Sequence, residues 1–186
     1  MTAPPPPATD RVFLCGLPGS GKSTVGPLLA GLLGWAALDL DDLVVAREGR
    51  PVTAIFRELG TAAFRARERE ALRRALRRRQ VVVSLGGGTL EDPRNLELVR
   101  RAGTVLWLDA PDQVLSARCG AQPGQRPLLT GATRQALERL RLAREPAMRA
   151  AGPRIETAWL EPETVAARCL DRAAGRPAAR GTGAGP

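Results

Sequence analysis

The sequence predicts a doubly wound α/β domain built on a five-stranded parallel sheet. Short apolar runs alternate with longer amphipathic stretches, and the runs themselves show little polar alternation, as in parallel strands that are covered on both faces. Strands separated by helical segments imply right-handed crossovers. A chain of 186 residues has room for one such domain and for little else. The predicted strands are Val12–Cys15, Ala36–Leu40, Val81–Leu85, Thr104–Leu108 and Arg154–Trp159.

Both ends of the chain are poor in large apolar side chains. Residues 1–10 are rich in proline, and residues 175–186 are rich in glycine, proline and alanine. Neither segment can bury enough apolar surface to offset its ordering entropy, so we expect disordered tails on either side of a domain spanning 11–174. No apolar run approaches the ~20 residues of a membrane helix, and the first residues lack the pattern of a secretory signal. We therefore expect no membrane association.

The chain is basic, but nearly all of its basic residues are arginine. There are 28 Lys+Arg against 19 Asp+Glu, and Lys22 is the only lysine. This skew indicates a general preference for arginine as much as an attraction to acidic ligands. Aromatic residues make up only 3%, and no nucleic-acid-binding motif is present, so we expect no specific nucleic-acid partner. Three widely spaced cysteines without any histidine favour neither zinc nor a disulfide framework, and they favour a cytoplasmic location.

A phosphate-binding loop follows the first predicted strand. Residues 16–24 read GLPGSGKST, which matches GxxxxGK[ST] between a strand and a helix. The glycines let backbone N–H groups converge on phosphates, and the helix that begins near Lys22 points its positive dipole end at them. Lys22 supplies charge to the β- and γ-phosphates, and the Ser23 hydroxyl is a ligand for Mg²⁺. The motif predicts a nucleoside triphosphate site at Gly19, Ser20, Gly21, Lys22, Ser23 and Thr24.

Acidic residues end the second predicted strand. Asp39 and Asp41 are two residues apart, so we expect them on one face of the strand at the carboxyl edge of the sheet, where such folds bind ligands. Two carboxylates there suit a hydrated Mg²⁺ and a substrate hydroxyl. Asp42 is expected to cap a helix that starts at Leu43.

Three glycines, Gly86, Gly87 and Gly88, follow the third predicted strand and permit close approach of a ligand, although a tight turn also needs glycine. The preceding helix is predicted over Phe64–Arg79. In it Arg65 borders the apolar stripe, which consists of Phe64, Ala71, Leu72, Ala75 and Leu76, and Glu68 lies at i+3, within reach of Arg65.

A Gly/Pro-rich break covers about residues 119–132. Its composition is typical of a mobile lid that brings Arg126 over the phosphates, and equally of a plain surface loop. A further helix is predicted over Thr133–Arg149. Arg144 lies in it, two residues before Pro146, which should bend or shorten the helix.

Taken in order, these motifs resemble the shikimate kinase family of small P-loop kinases. The resemblance runs from about Arg11 to Ala173 and includes GLPGSGKSTVG, LDLD, GRPVTAIF, FRARE, SLGGGT, QRPLL and LAREPAM. It implies a three-layer P-loop kinase fold with a mobile lid and helices on both faces of the sheet. It also implies a cytoplasmic, monomeric enzyme of aromatic amino-acid biosynthesis that phosphorylates the 3-hydroxyl of shikimate with ATP and Mg²⁺.

The resemblance implies roles for individual residues as well. Asp39 matches an acidic position that contacts magnesium through water, together with Ser23. Asp41 would orient or deprotonate the 3-hydroxyl, and Glu68 would brace Arg65. The implied catalytic residues are Lys22, Asp41 and Arg126, the nucleotide site adds Arg118 near adenine, and the shikimate site comprises Asp41, Arg65, Gly86, Gly87, Gly88 and Arg144.

The chain departs from the family pattern at Pro27, Thr61 and Met148, where a basic residue, a glutamate and an aromatic residue are usual. None of these positions is a proposed catalytic group. Two alternatives stay open. One is a related kinase for gluconate or a nucleoside monophosphate, which would lack a carboxylate clamp of two arginines. The other is a nucleotide-binding regulatory module without a phosphoryl acceptor.

Overall fold

The computed structural model describes residues 7, 9–120 and 134–175, and its strands form one parallel sheet. The strand order is β2-β3-β1-β4-β5, so the prediction of a five-stranded parallel sheet is confirmed. The strands are β1 (Arg11–Cys15), β2 (Ala36–Asp39), β3 (Val81–Ser84), β4 (Thr104–Asp109) and β5 (Arg154–Glu156).

Helices cover both faces of this sheet, as expected for parallel strands joined by crossovers. A short 3-10 turn over Thr89–Glu91 follows the glycines after β3. The helices are α1 (Lys22–Leu33), α2 (Leu40–Glu48), α3 (Val52–Ala75), α4 (Pro93–Ala102), α5 (Asp112–Gly120), α6 (Arg134–Ala151) and α7 (Pro162–Ala173).

Alternate residues of each central strand feed two separate cores. In β1, Val12 and Leu14 pack with α1 and α7, whereas Phe13 and Cys15 pack against the helices of the opposite face. Burial raises the pKa of the Cys15 thiol to about 12, so it stays protonated and packs as a small apolar side chain. Among the described residues, no helix combines the length and apolar character needed to cross a bilayer.

The ordered contacts begin slightly earlier than the sequence predicts. The Thr9 hydroxyl bonds to Thr104, and Asp10 pairs with Arg79 across the amino edge of the sheet. These two residues of the predicted tail over 1–10 are therefore attached to the domain. The predicted lid, at about 119–132, also begins with ordered structure, because helix α5 extends through Gly120. The rest of the predicted lid lies outside the described residues, and so does the segment 176–186.

Two predicted strands end earlier than their apolar runs. Leu40 begins α2 instead of ending β2, and it is fully buried under that helix. β5 ends at Glu156, and Ala158 and Trp159 form a turn after it, in which Trp159 is 87% exposed. Apolar composition therefore indicated burial correctly at Leu40 while misplacing the end of the strand.

The predicted helix Phe64–Arg79 is the second half of a longer helix, since α3 begins at Val52 and ends at Ala75. The sequence pattern does not predict the first half, because Gly60 interrupts the helical periodicity. Gly60 has φ 77° and ψ 172°, a conformation open essentially to glycine alone, and α3 kinks there. The rings of Phe56 and Phe64 stack across the kink with centroids 4.3 Å apart.

Of the two expected effects of Pro146, shortening of the helix does not occur, because α6 continues to Ala151. Proline removes the N–H that would have bonded the carbonyl of Leu142, a residue that is 80% exposed. Pro27 is likewise held within α1, and Met148 fills a core position at 3% exposure.

We predict that Gly60→Ala lowers the free energy of unfolding by about 1–3 kcal/mol, because alanine is strained at this φ although no atom lies within 4 Å of the new Cβ. Gly31→Ala is the matched control: Gly31 lies in α1 and is equally free of neighbours, so alanine there should stabilise by about 0.5–1 kcal/mol. Urea unfolding of both variants measures the difference. If both substitutions changed the free energy of unfolding equally, the kink at Gly60 would not depend on a backbone conformation that strains alanine.

Candidate active site

The phosphate loop connects β1 to α1 in the conformation that its glycines permit. Gly19 has φ 80° and Gly21 has φ 94°, both in the left-handed region. Lys22, the first residue of α1, is 9% exposed, and its ammonium group donates to the carbonyls of Gly16 at 2.9 Å and Leu17 at 3.2 Å. The lone lysine of the chain is thus held against the loop that the motif predicted, at the amino end of a helix.

A cavity of about 460 Å³ opens beside this loop. Arg118 forms part of its wall and is fixed by bonds to the carbonyl of Thr157 at 2.7 Å and to the Thr157 hydroxyl at 3.1 Å. Apolar side chains of Leu160, just before α7, and of Pro162 and Val165 in α7 complete it. All six residues predicted from the motif line the cavity, which is bounded by Gly19, Ser20, Gly21, Lys22, Ser23, Thr24, Val25, Arg118, Cys119, Thr157, Leu160, Pro162 and Val165.

The acidic residues after β2 are arranged differently from the prediction. Asp39, not Asp42, caps α2, and its Oδ1 accepts a hydrogen bond from the Asp41 backbone N–H at 2.9 Å. Asp41 belongs to the first turn of the helix, so Asp39 and Asp41 meet through this cap and not as neighbours on a strand face. Burial, and next the charge of Asp39, raise the pKa of Asp42.

Asp39 also reaches the phosphate loop. Its Oδ2 accepts a hydrogen bond from the Ser23 hydroxyl at 2.8 Å. A carboxylate and a hydroxyl beside a phosphate site are the oxygen donors that suit Mg²⁺, which keeps several water ligands and binds through few protein groups. The two side chains therefore fit the predicted magnesium position. Among the described residues there is no cluster of three or more Asp, Glu, Cys or His side chains that would bind a metal without help from a ligand.

The three glycines after β3 are the point at which the other predicted residues meet. A Cβ on Gly86 would lie 3.0 Å from Asp41 Oδ1 and would overlap the carboxylate of Glu68. A Cβ on Gly88 would overlap the guanidinium of Arg65. Glycine here lets the protein's own side chains lie against the backbone, and any larger residue would displace the carboxylate of Glu68 or the guanidinium of Arg65 from its present position.

Gly87 links the same turn to two other elements. A Cβ at Gly87 would lie 3.2 Å from Arg144 Nη1 of α6 and 3.8 Å from the ring of Pro18 in the phosphate loop. The guanidinium of Arg144 thus lies close to the phosphate loop as well as to the glycine turn. This brings the predicted substrate residues and the predicted nucleotide residues into one site.

Arg65 is held by a buried carboxylate. Its Nη1 donates to Glu68 Oε2 at 2.7 Å, and Glu68 is 1% exposed. The other oxygen of Glu68 accepts from the Thr89 hydroxyl at 2.6 Å, and the Thr89 carbonyl in turn accepts from the Asn95 side chain. The predicted brace of Arg65 by Glu68 is present, and Thr89 and Asn95 fix it further.

Arg144 is 5% exposed and makes an ion pair that the sequence analysis missed. Its Nε donates to Glu91 Oε1 at 2.5 Å, and Glu91 Oε2 lies 3.7 Å from Arg65 Nη2. One turn earlier on α6, Arg141 pairs with the buried Asp109 at 3.0 Å and so fixes the helix that carries Arg144. No motif signalled Glu91, because it lies in a short turn beyond the glycines.

The structure therefore brings together every predicted site residue that it describes. Arg126, the predicted lid arginine, lies outside the described residues. The residues that sequence reasoning missed include Glu91, Thr89 and Asn95. They also include the cavity residues Val25, Cys119, Thr157, Leu160, Pro162 and Val165. Glu91 and Thr89 act through contacts with segments distant in sequence, whereas Asn95 bonds to Thr89 six residues away.

Comparison with known proteins gives a consistent result. The sequence model of the shikimate kinase family matches residues 18–174. A shikimate kinase of Chlorobium chlorochromatii is 46% identical over 159 residues, which are 84% of this chain and 83% of that protein.

Solved structures agree with the sequence match. A shikimate kinase from Acinetobacter baumannii in complex with shikimate superposes with a TM-score of 0.84 at 31% identity, covering 89% of this chain and 93% of that one. A gluconokinase from Sinorhizobium meliloti superposes with a TM-score of 0.57 at 21% identity, covering 90% of this chain and 94% of that one. The second likeness shows a common fold only.

We predict that Glu68→Gln lowers the free energy of unfolding by about 2 kcal/mol, because it removes the charge that faces Arg65 in a buried, fully bonded position. Glu97→Gln is the control, since Glu97 makes a similar ion pair with Arg101 at 2.6 Å but is 52% exposed. Its loss should cost less than about 0.5 kcal/mol. Thermal or urea unfolding distinguishes them, and similar costs would show that Glu68 is no structural brace.

Proposed function

The chain belongs to the shikimate kinase family, and on that premise we propose that it transfers the γ-phosphoryl group of ATP to the 3-hydroxyl of shikimate, releasing ADP and shikimate 3-phosphate. The product lies on the route to aromatic amino acids.

The observation that carries this proposal is the meeting of three groups at the glycine turn. Arg65 and Arg144 approach it from different helices, and Asp41 approaches it from the first turn of α2. Two guanidinium groups suit the carboxylate of a substrate, because their paired donors match a carboxylate bidentately. A carboxylate at the same turn suits a hydroxyl of the same small ring. Shikimate carries both groups.

Each residue then has a role in the transfer. Arg65 and Arg144 bind the carboxylate of shikimate and so orient its ring. Asp41 accepts a hydrogen bond from the 3-hydroxyl and takes its proton as the oxygen attacks the γ-phosphorus. The bond from that phosphorus to the β-phosphate oxygen breaks, and ADP carries away the electron pair. Lys22 and the backbone N–H groups of the phosphate loop stabilise the charge on the transferred group.

Mg²⁺ completes this proposal. Ser23 and Asp39 would hold it, Asp39 through a water molecule, and the ion would neutralise charge on the β- and γ-phosphates. Arg126 as a lid residue over the phosphates, a monomeric state and a cytoplasmic location stay predictions.

A coupled assay of ADP release tests the proposal against the alternatives. We expect turnover with shikimate to exceed turnover with gluconate or a nucleoside monophosphate by at least about a hundredfold. Asp41→Asn should lower kcat with shikimate by about a hundredfold or more while leaving ATP binding intact, because the phosphate loop is untouched. Preference for another acceptor would replace the proposal, and ATP binding without any acceptor would favour a regulatory module.

We predict that Arg144→Lys raises KM for shikimate about tenfold, corresponding to about 1.4 kcal/mol of lost binding, because an ammonium cannot reproduce the fork of a guanidinium. KM for ATP should change little. The matched control is a shikimate analogue with a neutral amide in place of the carboxylate. Wild type should discriminate strongly against the amide and Arg144→Lys less so. If both proteins treat acid and amide alike, there is no carboxylate clamp.

A further inference from the structure

The carboxylate of Glu91 contacts both arginines of the clamp. Its two oxygens are divided between them: Oε1 lies 2.5 Å from Arg144 Nε, and Oε2 lies 3.7 Å from Arg65 Nη2. A single carboxylate that bridges two guanidinium groups is the arrangement that the proposed function assigns to the carboxylate of the substrate.

Each guanidinium of the clamp already has a carboxylate partner. Arg65 pairs with Glu68 and Arg144 pairs with Glu91, and the Asp41 carboxylate lies at the same glycine turn. A substrate carboxylate would add a further negative charge in a region where Arg144 is only 5% exposed. Like charges at short range in a partly buried site repel, so one carboxylate must leave for the substrate to bind with full strength.

Burial decides which of the two can leave. Glu68 is 1% exposed and is held on one side by Arg65 and on the other by Thr89, so moving it would leave a buried charge without partners. The side chain of Glu91 is 42% exposed and lies on the short turn Thr89–Glu91. It can rotate into water, where a carboxylate is well solvated, at little cost.

We propose that Glu91 is a built-in competitor of the substrate: its carboxylate occupies the clamp in the unliganded enzyme, and the carboxylate of shikimate displaces it. This inference rests on the proposed function and adds a residue that sets affinity for the acid. While the clamp is empty of substrate, Glu91 keeps the two guanidinium groups paired and close together. It thereby limits their pairing with other small anions, at a cost in affinity for shikimate.

The test is Glu91→Gln, which keeps the shape of the side chain and removes its charge. We expect KM for shikimate, and Kd measured by calorimetry without ATP, to fall about threefold to tenfold, with any change in kcat smaller than the change in KM. Inhibition by simple carboxylates such as benzoate should become stronger by a similar factor. KM for ATP should be unaffected.

Glu97→Gln is the matched control, because it removes the same charge from the exposed partner of Arg101 on α4. This control measures how much the loss of any one negative charge changes the affinity of a basic protein for an anionic substrate. We expect it to leave KM for shikimate within about twofold of wild type. Thermal unfolding of both variants confirms that they are folded. An unchanged KM in Glu91→Gln would overturn the inference, and so would a raised KM, which would make Glu91 a support for Arg144.

The outcome is separable from that of the proposed function. If wild type neither binds nor phosphorylates shikimate, the proposed function fails whatever the variant does. If wild type is active and Glu91→Gln binds shikimate no more tightly, the proposed function stands and the competition alone is rejected.

Discussion

The parallel pairing of β2, β3 and β1 is the constraint on which the site depends. Because neighbouring parallel strands end at the same edge, the segments that follow them are brought side by side. The phosphate loop follows β1, Asp39 ends β2, and the glycine turn follows β3. Two contacts secure this edge: Leu85 donates its backbone N–H to Leu14 at 2.9 Å, and the Ser84 hydroxyl donates to the carbonyl of Lys22 at 3.0 Å.

At this edge of the sheet, two glutamates that contact the same arginine differ in role because they differ in burial. Glu68 is enclosed and fully bonded, so it acts as a fixed part of the structure that holds Arg65. Glu91 contacts the same arginine from the solvent side and is free to exchange with another carboxylate. Asp39 Oδ1 caps α2 by accepting a hydrogen bond from the Asp41 N–H, and Asp39 Oδ2 accepts one from the Ser23 hydroxyl. The cap thus positions both Asp39, the carboxylate of the proposed magnesium site, and the adjacent Asp41.

The glycine turn illustrates how one sequence feature serves a purpose other than the obvious one. Consecutive glycines after a strand suggest that a ligand approaches the backbone. In this protein the groups that approach Gly86 and Gly88 are Glu68 and Arg65 of its own helix α3. The turn lets these side chains lie against the main chain, and the residues of the proposed substrate site are thereby oriented by the protein's own contacts. Preorganised charges of this kind are what phosphoryl transfer requires from a protein.

The sequence by itself determined the sheet and the phosphate loop, because these depend on local pattern and on a motif with fixed spacing, and the i+3 spacing also placed Glu68 within reach of Arg65. Tertiary structure decided where α2 begins. Leu40 is buried in the core as the first residue of the helix, so Asp39 is the N-cap in place of the predicted Asp42. It also decided the role of Glu91. Glu91 and Arg144 are 53 residues apart in the sequence, yet their side chains are joined by a hydrogen bond. That contact forms only because α6 packs beside the glycine turn. Contacts between distant segments have no local signature, and for that reason the sequence could not reveal them.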